Sequence, residues 1–325
     1  MIRVLFAGSP GIAVPTLRAL ADLETEGVCA LAAVLTNPDS AKGRSGKAEP
    51  TELGAAALEL STMPKLFKFE KLDENARQEI AALKPDMLVC FAYGKIFGPK
   101  FLALFPLGGI NVHPSLLPRW RGPSPVQAAI LHGDTETGVC VQRVALEMDR
   151  GEILARERFP LSGRETALSL GRTAAERGAA LAAHLIRRIS AEGRLPPGEK
   201  QDEAGALYST LLTREMGRID WNAPALEIDR KIRAFTPWPP CLTRFGGKDL
   251  YLLEGRPFEG DAAGLTGPVS APPGTVLGTD KKWGILVRTG EGIFAVEKLQ
   301  FPARKALDWR AFLNGTRNFT GSRLE

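Results

Sequence analysis

The sequence has little with which to hold a metal or to staple itself covalently. It contains three histidines (His113, His132, His184) and four cysteines (Cys29, Cys90, Cys140, Cys241), none in a Cys-x-x-Cys pair. Each cysteine sits among small or apolar neighbours, so buried free thiols in a reducing compartment are expected, not disulfides. So few ligands argue against a structural zinc site, and no metal is expected. No apolar run reaches the roughly 18 residues of a membrane span. The N-terminus enters an apolar run at Ile2–Ala7 without a basic n-region, which argues against a secretory signal and for a cytoplasmic protein. Gly8-Ser9-Pro10-Gly11 follows that run, but there is neither Gly-x-Gly-x-x-Gly nor a Walker pattern. A dinucleotide fingerprint is therefore not supported. Internal repeats and low-complexity tracts are also missing.

What is present suits a folded protein with one or two cores. The 325 residues are 44% hydrophobic and 24% charged, near the globular average, which excludes a disordered or fibrous chain. At about 150 residues per domain, two domains are expected. The net charge of +5 and pI near 9.1 are compatible with an anionic partner, but the charge alone does not establish one.

The two halves differ in texture. Apolar runs at 4–7, 30–35, 65–67, 87–91 and 109–113 read as strands, with amphipathic stretches from Ile12 to Leu20, at 51–60 and at 75–83 between them. Strands separated by helices predict β-α-β units and a doubly wound, mostly parallel α/β sheet. Strands at 139–144 and 153–159 and a long Ala/Leu-rich helix from about 165 to 189 follow. The polar, Pro/Gly-rich stretch after it reads as an exposed linker. Beyond about Ala206, short apolar stretches at 241–245, 250–253, 274–277, 284–287 and 293–299 alternate with Gly-rich turns. This predicts a small antiparallel barrel or sandwich, with helices at 223–234 and 307–314. The expected division is residues 1–189, a linker at 190–205, and a second domain at 206–325. Trp221 and Trp238 are expected in the core of that second domain.

The densest chemistry lies in Gly109-Ile-Asn-Val-His-Pro-Ser-Leu-Leu-Pro-Arg-Trp-Arg-Gly122. Asn111 and His113 are two apart on a strand and so share a face. They sit at its C-terminal end, where open α/β sheets build ligand crevices. A carboxamide beside an imidazole can supply an oxyanion donor and a base. Asp149, in Glu147-Met-Asp-Arg-Gly151, falls on a turn between two strands. Spacing leaves it either a solvated turn residue or a partner that orients His113 and stabilises its cation. Arg119-Trp120-Arg121 either shapes a site entrance or anchors the loop by packing.

Asn111–Gly122 followed by Asp149-Arg-Gly-Glu-Ile-Leu154 resembles the folate-dependent formyltransferases. The resemblance extends through Ala7-Gly-Ser-Pro10, Ala92-Tyr-Gly-Lys-Ile96 and Thr135-Glu-Thr-Gly138. It continues in Arg218-Ile-Asp-Trp221, Ile232–Pro239 and Pro273-Gly-Thr-Val276, and so covers nearly the whole chain. It implies a Rossmann-like formyltransferase domain and a C-terminal barrel of the oligonucleotide-binding (OB-like) type that binds tRNA. The implied donor is the co-substrate 10-formyltetrahydrofolate, and the implied acceptor is the methionine amino group on initiator methionyl-tRNA. Asn111, His113 and Asp149 would be catalytic. Ser115, Leu116, Leu117 and Pro118 match the family's folate loop, and Phe91, Tyr93, Gly94 and Ile96 would line the pterin pocket. Lys42, Arg44 and Lys47 match a loop that meets the acceptor stem, and Arg304 and Lys305 a basic loop presented to tRNA. A monomer without membrane contact is expected. Two competing readings share part of this pattern: a relative acting on an amino sugar or ribonucleotide amine, and a non-enzymatic RNA-binding relative.

Overall fold

Val4, Leu5, Phe6 and Ala7 are wholly buried. Successive strand residues point to opposite faces, so the strand that carries them is covered on both sides. It is an interior strand of the sheet, between the strands Cys29–Leu35 and Met87–Phe91, in a computed structural model that describes residues 1–41, 46, 48–261 and 270–325. These residues form two units. The first comprises Met1–Pro125, Glu136–Pro160 and Leu170–Thr210; the second comprises Val126–Thr135, Leu161–Ser169 and Leu211–Glu325.

In chain order the elements begin β1 (Ile2–Gly8), α1 (Val14–Thr25), β2 (Cys29–Leu35), the short pair β3 (Ser40–Ala41) and β4 (Ala48–Glu49), α2 (Glu52–Leu58) and β5 (Lys65–Phe67). Then come α3 (Glu74–Ala81), β6 (Met87–Phe91), α4 (Pro99–Leu102), β7 (Gly109–His113), α5 (Pro125–Leu131), β8 (Glu136–Arg143), β9 (Ile153–Pro160) and α6 (Ala167–Glu192). The sheet of the first unit runs β5-β2-β1-β6-β7-β8-β9. It is parallel through β7, and β8 and β9 continue it antiparallel. Helices α2 and α3 start one residue after a side chain that caps them. Thr51 Oγ1 accepts from Gly54 N at 2.9 Å and Asp73 Oδ1 from Ala76 N at 3.0 Å, satisfying amides that a helix start leaves unpaired.

Helix α6 presents a buried stripe that includes Ala174, Ala175, Gly178, Ala179 and Ala182. The stripe lets the helix lie close on the sheet: a Cβ at Gly178 would come within 2.7 Å of Val112 Cγ1. Val112 lies between Asn111 and His113 on β7. The helix therefore covers one face of that strand, and Asn111 and His113 point to the other.

The stretch expected as an exposed linker is packed on the first unit. Glu199 exchanges backbone hydrogen bonds with Ile153, Arg121 N donates to Leu207 O, and Ser209 N donates to Arg121 O. Its polar, proline-rich composition resembles a linker, but its backbone groups are satisfied along the sheet edge and the loop after β7. The units thus divide near residue 210, and two earlier stretches, 126–135 and 161–169, belong to the second.

The second unit continues with α7 (Ala225–Phe235), β10 (Leu242–Phe245), β11 (Lys248–Pro257), β12 (Val276–Asp280), β13 (Gly284–Arg288), β14 (Ile293–Gln300), β15 (Leu307–Asp308) and α8 (Trp309–Gly315). Its antiparallel sheet runs β10-β11-β14-β13-β12, with β15 on β14. Part of the helix expected at 307–314 is strand β15. Asp308 ends that strand and caps α8, accepting from the amides of Arg310 and Ala311. The sheet coils at Gly255, where the register of β11 on β14 shifts and a Cβ would lie 2.5 Å from the Phe294 ring.

The path is open between β10 and β12, and the last five residues span that gap. Val276 N donates to Ser322 O and Gly321 N to Val276 O on one side; Arg244 and Glu325 exchange backbone bonds on the other. Trp221 is core, its Nε1 donating to Thr243 Oγ1 at 2.9 Å. Trp238 is not: it is 53% exposed, on the proline-rich turn between α7 and β10, past the last buried residue of the helix.

Residues 321–325 supply both edge hydrogen bonds and the buried Leu324. Deleting them is expected to destabilise the second unit by about 2 kcal/mol or more, measured as a lower midpoint in thermal or urea unfolding. An unchanged midpoint would mean that the sheet does not depend on this closure.

Candidate active site

Strand β7 brings Asn111 and His113 to the C-terminal end of the parallel part of the sheet. Antiparallel pairing with β8 sets Gln142 directly opposite Asn111, which puts the two carboxamides on one face. The turn after β8 then returns Asp149 to the same place.

The Asp149 carboxylate is where these groups converge. Its Oδ1 accepts from Gln142 Nε2 at 2.9 Å and from Asn111 Nδ2 at 3.4 Å, and lies 3.5 Å from His113 Nδ1. Its Oδ2 accepts from Gly122 N at 2.8 Å. His113, 4% exposed, has its Nε2 2.9 Å from the carbonyl of Trp120. A carbonyl can only accept, so Nε2 carries a hydrogen and Nδ1 is the nitrogen that faces Asp149. A proton gained at Nδ1 makes the ring a cation against the carboxylate.

This arrangement holds backbone in an uncommon region. Ala92, Trp120 and Asp149 have φ of 52°, 61° and 54°, left-handed values that cost side-chain-bearing residues free energy and cluster at functional sites. Gly151 closes the Asp149 turn so tightly that a Cβ there would lie 1.7 Å from Arg143 O. The resemblance singled out Asp149 with Asn111 and His113, but not its partner Gln142.

Arg121 is wholly buried. Its guanidinium donates to Glu203 Oε1 (2.8 Å) and Oε2 (3.0 Å), to the Tyr208 hydroxyl (2.9 Å) and to Gln201 Oε1 (3.0 Å). Of the two readings of Arg119–Arg121, anchoring holds for Arg121. Glu203 also accepts from Arg150 at 2.8 Å. The Arg121 guanidinium first, then that of Arg150, holds the Glu203 carboxyl down at about 2. A cleft of about 430 Å³ lined by Ala145, Leu146, Glu147, Arg150 and Glu203 opens on the loop that carries Asp149.

The residues matched to folate binding divide into buried and exposed groups. Ser115 closes its own turn, Oγ donating to Arg119 O at 2.6 Å. Leu116 lies over β8, where a Cβ at Gly138 would meet it at 2.4 Å. Leu117 is buried with Cys140 and Ile153. Pro118 O accepts from Leu207 N. Phe91 is buried near Gly178 of α6, on the face of the sheet away from Asn111 and His113. The Tyr93 ring is also buried, stacked 5.4 Å from Phe97 in an aromatic row with Phe101 and Phe105. Burial pushes its hydroxyl up to about 12. Gly94 and Ile96 are exposed, Ile96 at 77%.

Burial likewise pushes the Cys90 thiol up to about 12 and Cys140 to about 11, so neither is a thiolate at neutral pH. Among the described residues, no group of three His, Cys, Asp or Glu side chains is placed to hold a metal, and no helix is long and apolar enough to cross a membrane. Lys42, Arg44 and Lys47 lie outside the described residues. Arg304 and Lys305 are exposed on the turn between β14 and β15.

Sequence reasoning missed Gln142, Gln201 and Glu203. Gln142 had a signal, a polar residue in the apolar run of 139–144. Gln201 and Glu203 had none, since they sit in a stretch whose composition reads as linker.

The formyl transferase model matches residues 2–186, and the formyl transferase C-terminal domain model matches 211–317. The methionyl-tRNA formyltransferase of Treponema denticola is 47% identical over 324 residues, covering 98% of each chain. That of a Pseudomonas fluorescens strain is 38% identical over 316 residues, 97% of this chain and 94% of the relative. Among solved structures, HypX from Aquifex aeolicus in complex with tetrahydrofolic acid shares the fold. Its TM-score is 0.61 at 16% identity, over 99% of this chain and 48% of that one. With both domains matched and relatives of this identity along its full length, the chain belongs to the formyl transferase family, on the branch of the methionyl-tRNA formyltransferases.

Proposed function

We propose that the protein transfers the formyl group of 10-formyltetrahydrofolate to the α-amino group of methionine on initiator methionyl-tRNA, acting as a cytoplasmic monomer. The observation that carries this reading is the convergence of Asn111, His113 and Asp149 at the end of β7, in a chain whose relatives match along its whole length.

The reaction forms a bond from the amine nitrogen to the formyl carbon and breaks the bond from that carbon to N10 of the folate. A proton passes from the amine to N10. An α-amino group titrates near pH 8, so an appreciable fraction is neutral and nucleophilic at pH 7. As the amine attacks, the formyl oxygen gains negative charge. Asn111 Nδ2 is a donor for that charge, held in place before reaction, and His113 adds a positive charge beside it once its ring has gained a proton. Asp149 orients the imidazole and balances its positive charge, so the pair can take up the amine proton and pass it on.

The cleft on the Asp149 loop is shallow and open to solvent. Ala145 and Leu146 offer apolar wall for the folate ring system, and Gly94 and Ile96 offer exposed surface for the same ligand. Relatives that carry the name methionyl-tRNA formyltransferase along the whole chain favour a tRNA acceptor over an amino sugar or a ribonucleotide amine. In this reading Lys42, Arg44 and Lys47 meet the acceptor stem, and Arg304 and Lys305 contribute phosphate contacts that weaken with salt.

The deciding experiment is formyl transfer from 10-formyltetrahydrofolate to initiator and elongator methionyl-tRNA side by side. Rapid transfer to the initiator alone supports the reading. Donor turnover with no product on either tRNA would move the acceptor elsewhere. His113→Ala is expected to lower kcat by about 10²–10³ or more with folding intact; near-normal turnover would remove His113 from the chemistry. Arg44→Ala is expected to lower kcat/KM for tRNA by at least about tenfold, roughly 1.4 kcal/mol, with KM for the folate unchanged. An unaltered kcat/KM for tRNA would exclude Arg44 from the acceptor site.

A further inference from the structure

One side chain beside the site makes four hydrogen bonds and has no role assigned in the reaction. Gln201 lies about 50 residues from Asp149 in sequence, on the stretch that runs from α6 toward the second unit. Its Nε2 donates to Gly151 O at 2.7 Å, to Asp149 O at 2.8 Å and to Gln142 Oε1 at 3.2 Å. Its Oε1 accepts from Arg121 Nε at 3.0 Å.

The direction of this carboxamide follows from its partners. A guanidinium has only donors and a backbone carbonyl only accepts, so Oε1 must face Arg121 and Nε2 must face the turn. Reversing the amide would oppose donor to donor and acceptor to acceptor. Arg121 is itself immobile, wholly buried and held by Glu203 and Tyr208. The orientation passes on to Gln142. Its Oε1 takes the remaining share of the Gln201 hydrogens, which leaves its Nε2 to donate to Asp149 Oδ1 at 2.9 Å.

Two hydrogens of Gln201 thus hold the backbone on either side of Arg150. That backbone needs holding, because Asp149 is a non-glycine residue at φ 54°, a conformation that persists only when its surroundings impose it. Any relaxation there swings the carboxylate away from Asn111 and His113.

We propose that Gln201 is a positioning residue for the transfer: oriented by buried Arg121, its carboxamide fixes the left-handed backbone of Asp149 and the amide of Gln142, and so aims the Asp149 carboxylate at Asn111 and His113. The inference rests on the reading that these three residues carry formyl transfer. It assigns to the 199–209 strap a part in the chemistry beyond its packing on the first unit.

The test compares Gln201→Met and Gln201→Glu with the full-length wild-type protein, using 10-formyltetrahydrofolate and initiator methionyl-tRNA. Both variants keep the side-chain length, and Q201E keeps the pairing with Arg121 while losing the amide donors. The expected result is a kcat about 10- to 100-fold lower, as for a misplacement of about 1 Å, with KM for both substrates within about twofold. A role in packing alone would lower the unfolding midpoint and leave kcat of the folded enzyme intact. If Q201M does not fold, Q201E decides. Variants that fold with kcat within twofold of wild type overturn the proposal. A wild-type protein that transfers no formyl group overturns the functional reading instead, and is seen before any variant is compared.

Discussion

The carboxylate of Asp149 is the constraint on which the rest of the site depends. Three donors meet it, the side chains of Asn111 on β7 and Gln142 on β8 and the backbone amide of Gly122, and His113 Nδ1 faces it at 3.5 Å. A carboxylate largely shielded from water, as this one is, would be costly without such partners, and donors with no common acceptor would be free to turn. Each group is fixed because the others are. Asn111 and Gln142 are opposed across β7 and β8, and the left-handed turn at Asp149 brings its side chain back to them. The loop after β7 must present an amide at Gly122 and a carbonyl at Trp120, which sets the path of residues 113–122.

The support behind this site is mostly polar and comes from one strap of chain. Residues 199–209 satisfy both backbone groups of Ile153 and Arg121 and place Glu203, Tyr208 and Gln201 around a guanidinium with no solvent exposure. A fully buried arginine is costly unless its donors are met, and leaving any unpaired would cost several kcal/mol. Here Glu203 answers two of its nitrogens and ties in Arg150 from the Asp149 loop. The anchoring is directional, as a catalytic site requires, where apolar packing alone would leave side-chain orientation less defined. On the opposite face of β7, α6 does the reverse, using small side chains to bring a helix close with no polar contact at Gly178.

In the second unit, closure is backbone work. Five strands and the short β15 leave two edges, and exposed edges invite pairing with other chains. The last five residues cover both, with Leu324 buried between them. Gly255 provides the coil that brings the edges within reach of one short segment.

Much of this was legible in the sequence, for reasons that can be stated. Apolar runs bounded by Gly and Pro mark β1, β2, β6 and β7 because a strand buried on both faces must be apolar throughout. Period two places Asn111 and His113 on one side of β7 whatever the rest of the chain does. The resemblance to formyltransferases singled out Asp149 across a gap that spacing could not bridge. Other features were decided by the tertiary structure. Composition made 190–205 a linker, since polar and proline-rich residues read alike whether they face water or a neighbouring backbone. Phe91 and Tyr93 belong to a binding motif by sequence, yet their burial against α6 and the Phe97 row is a property of the packed sheet. Gln142 and Gln201 carry no local mark of function. Which way a carboxamide points depends on the donors and acceptors around it, and those come from residues 121, 149 and 151, distant in sequence and adjacent only in the fold.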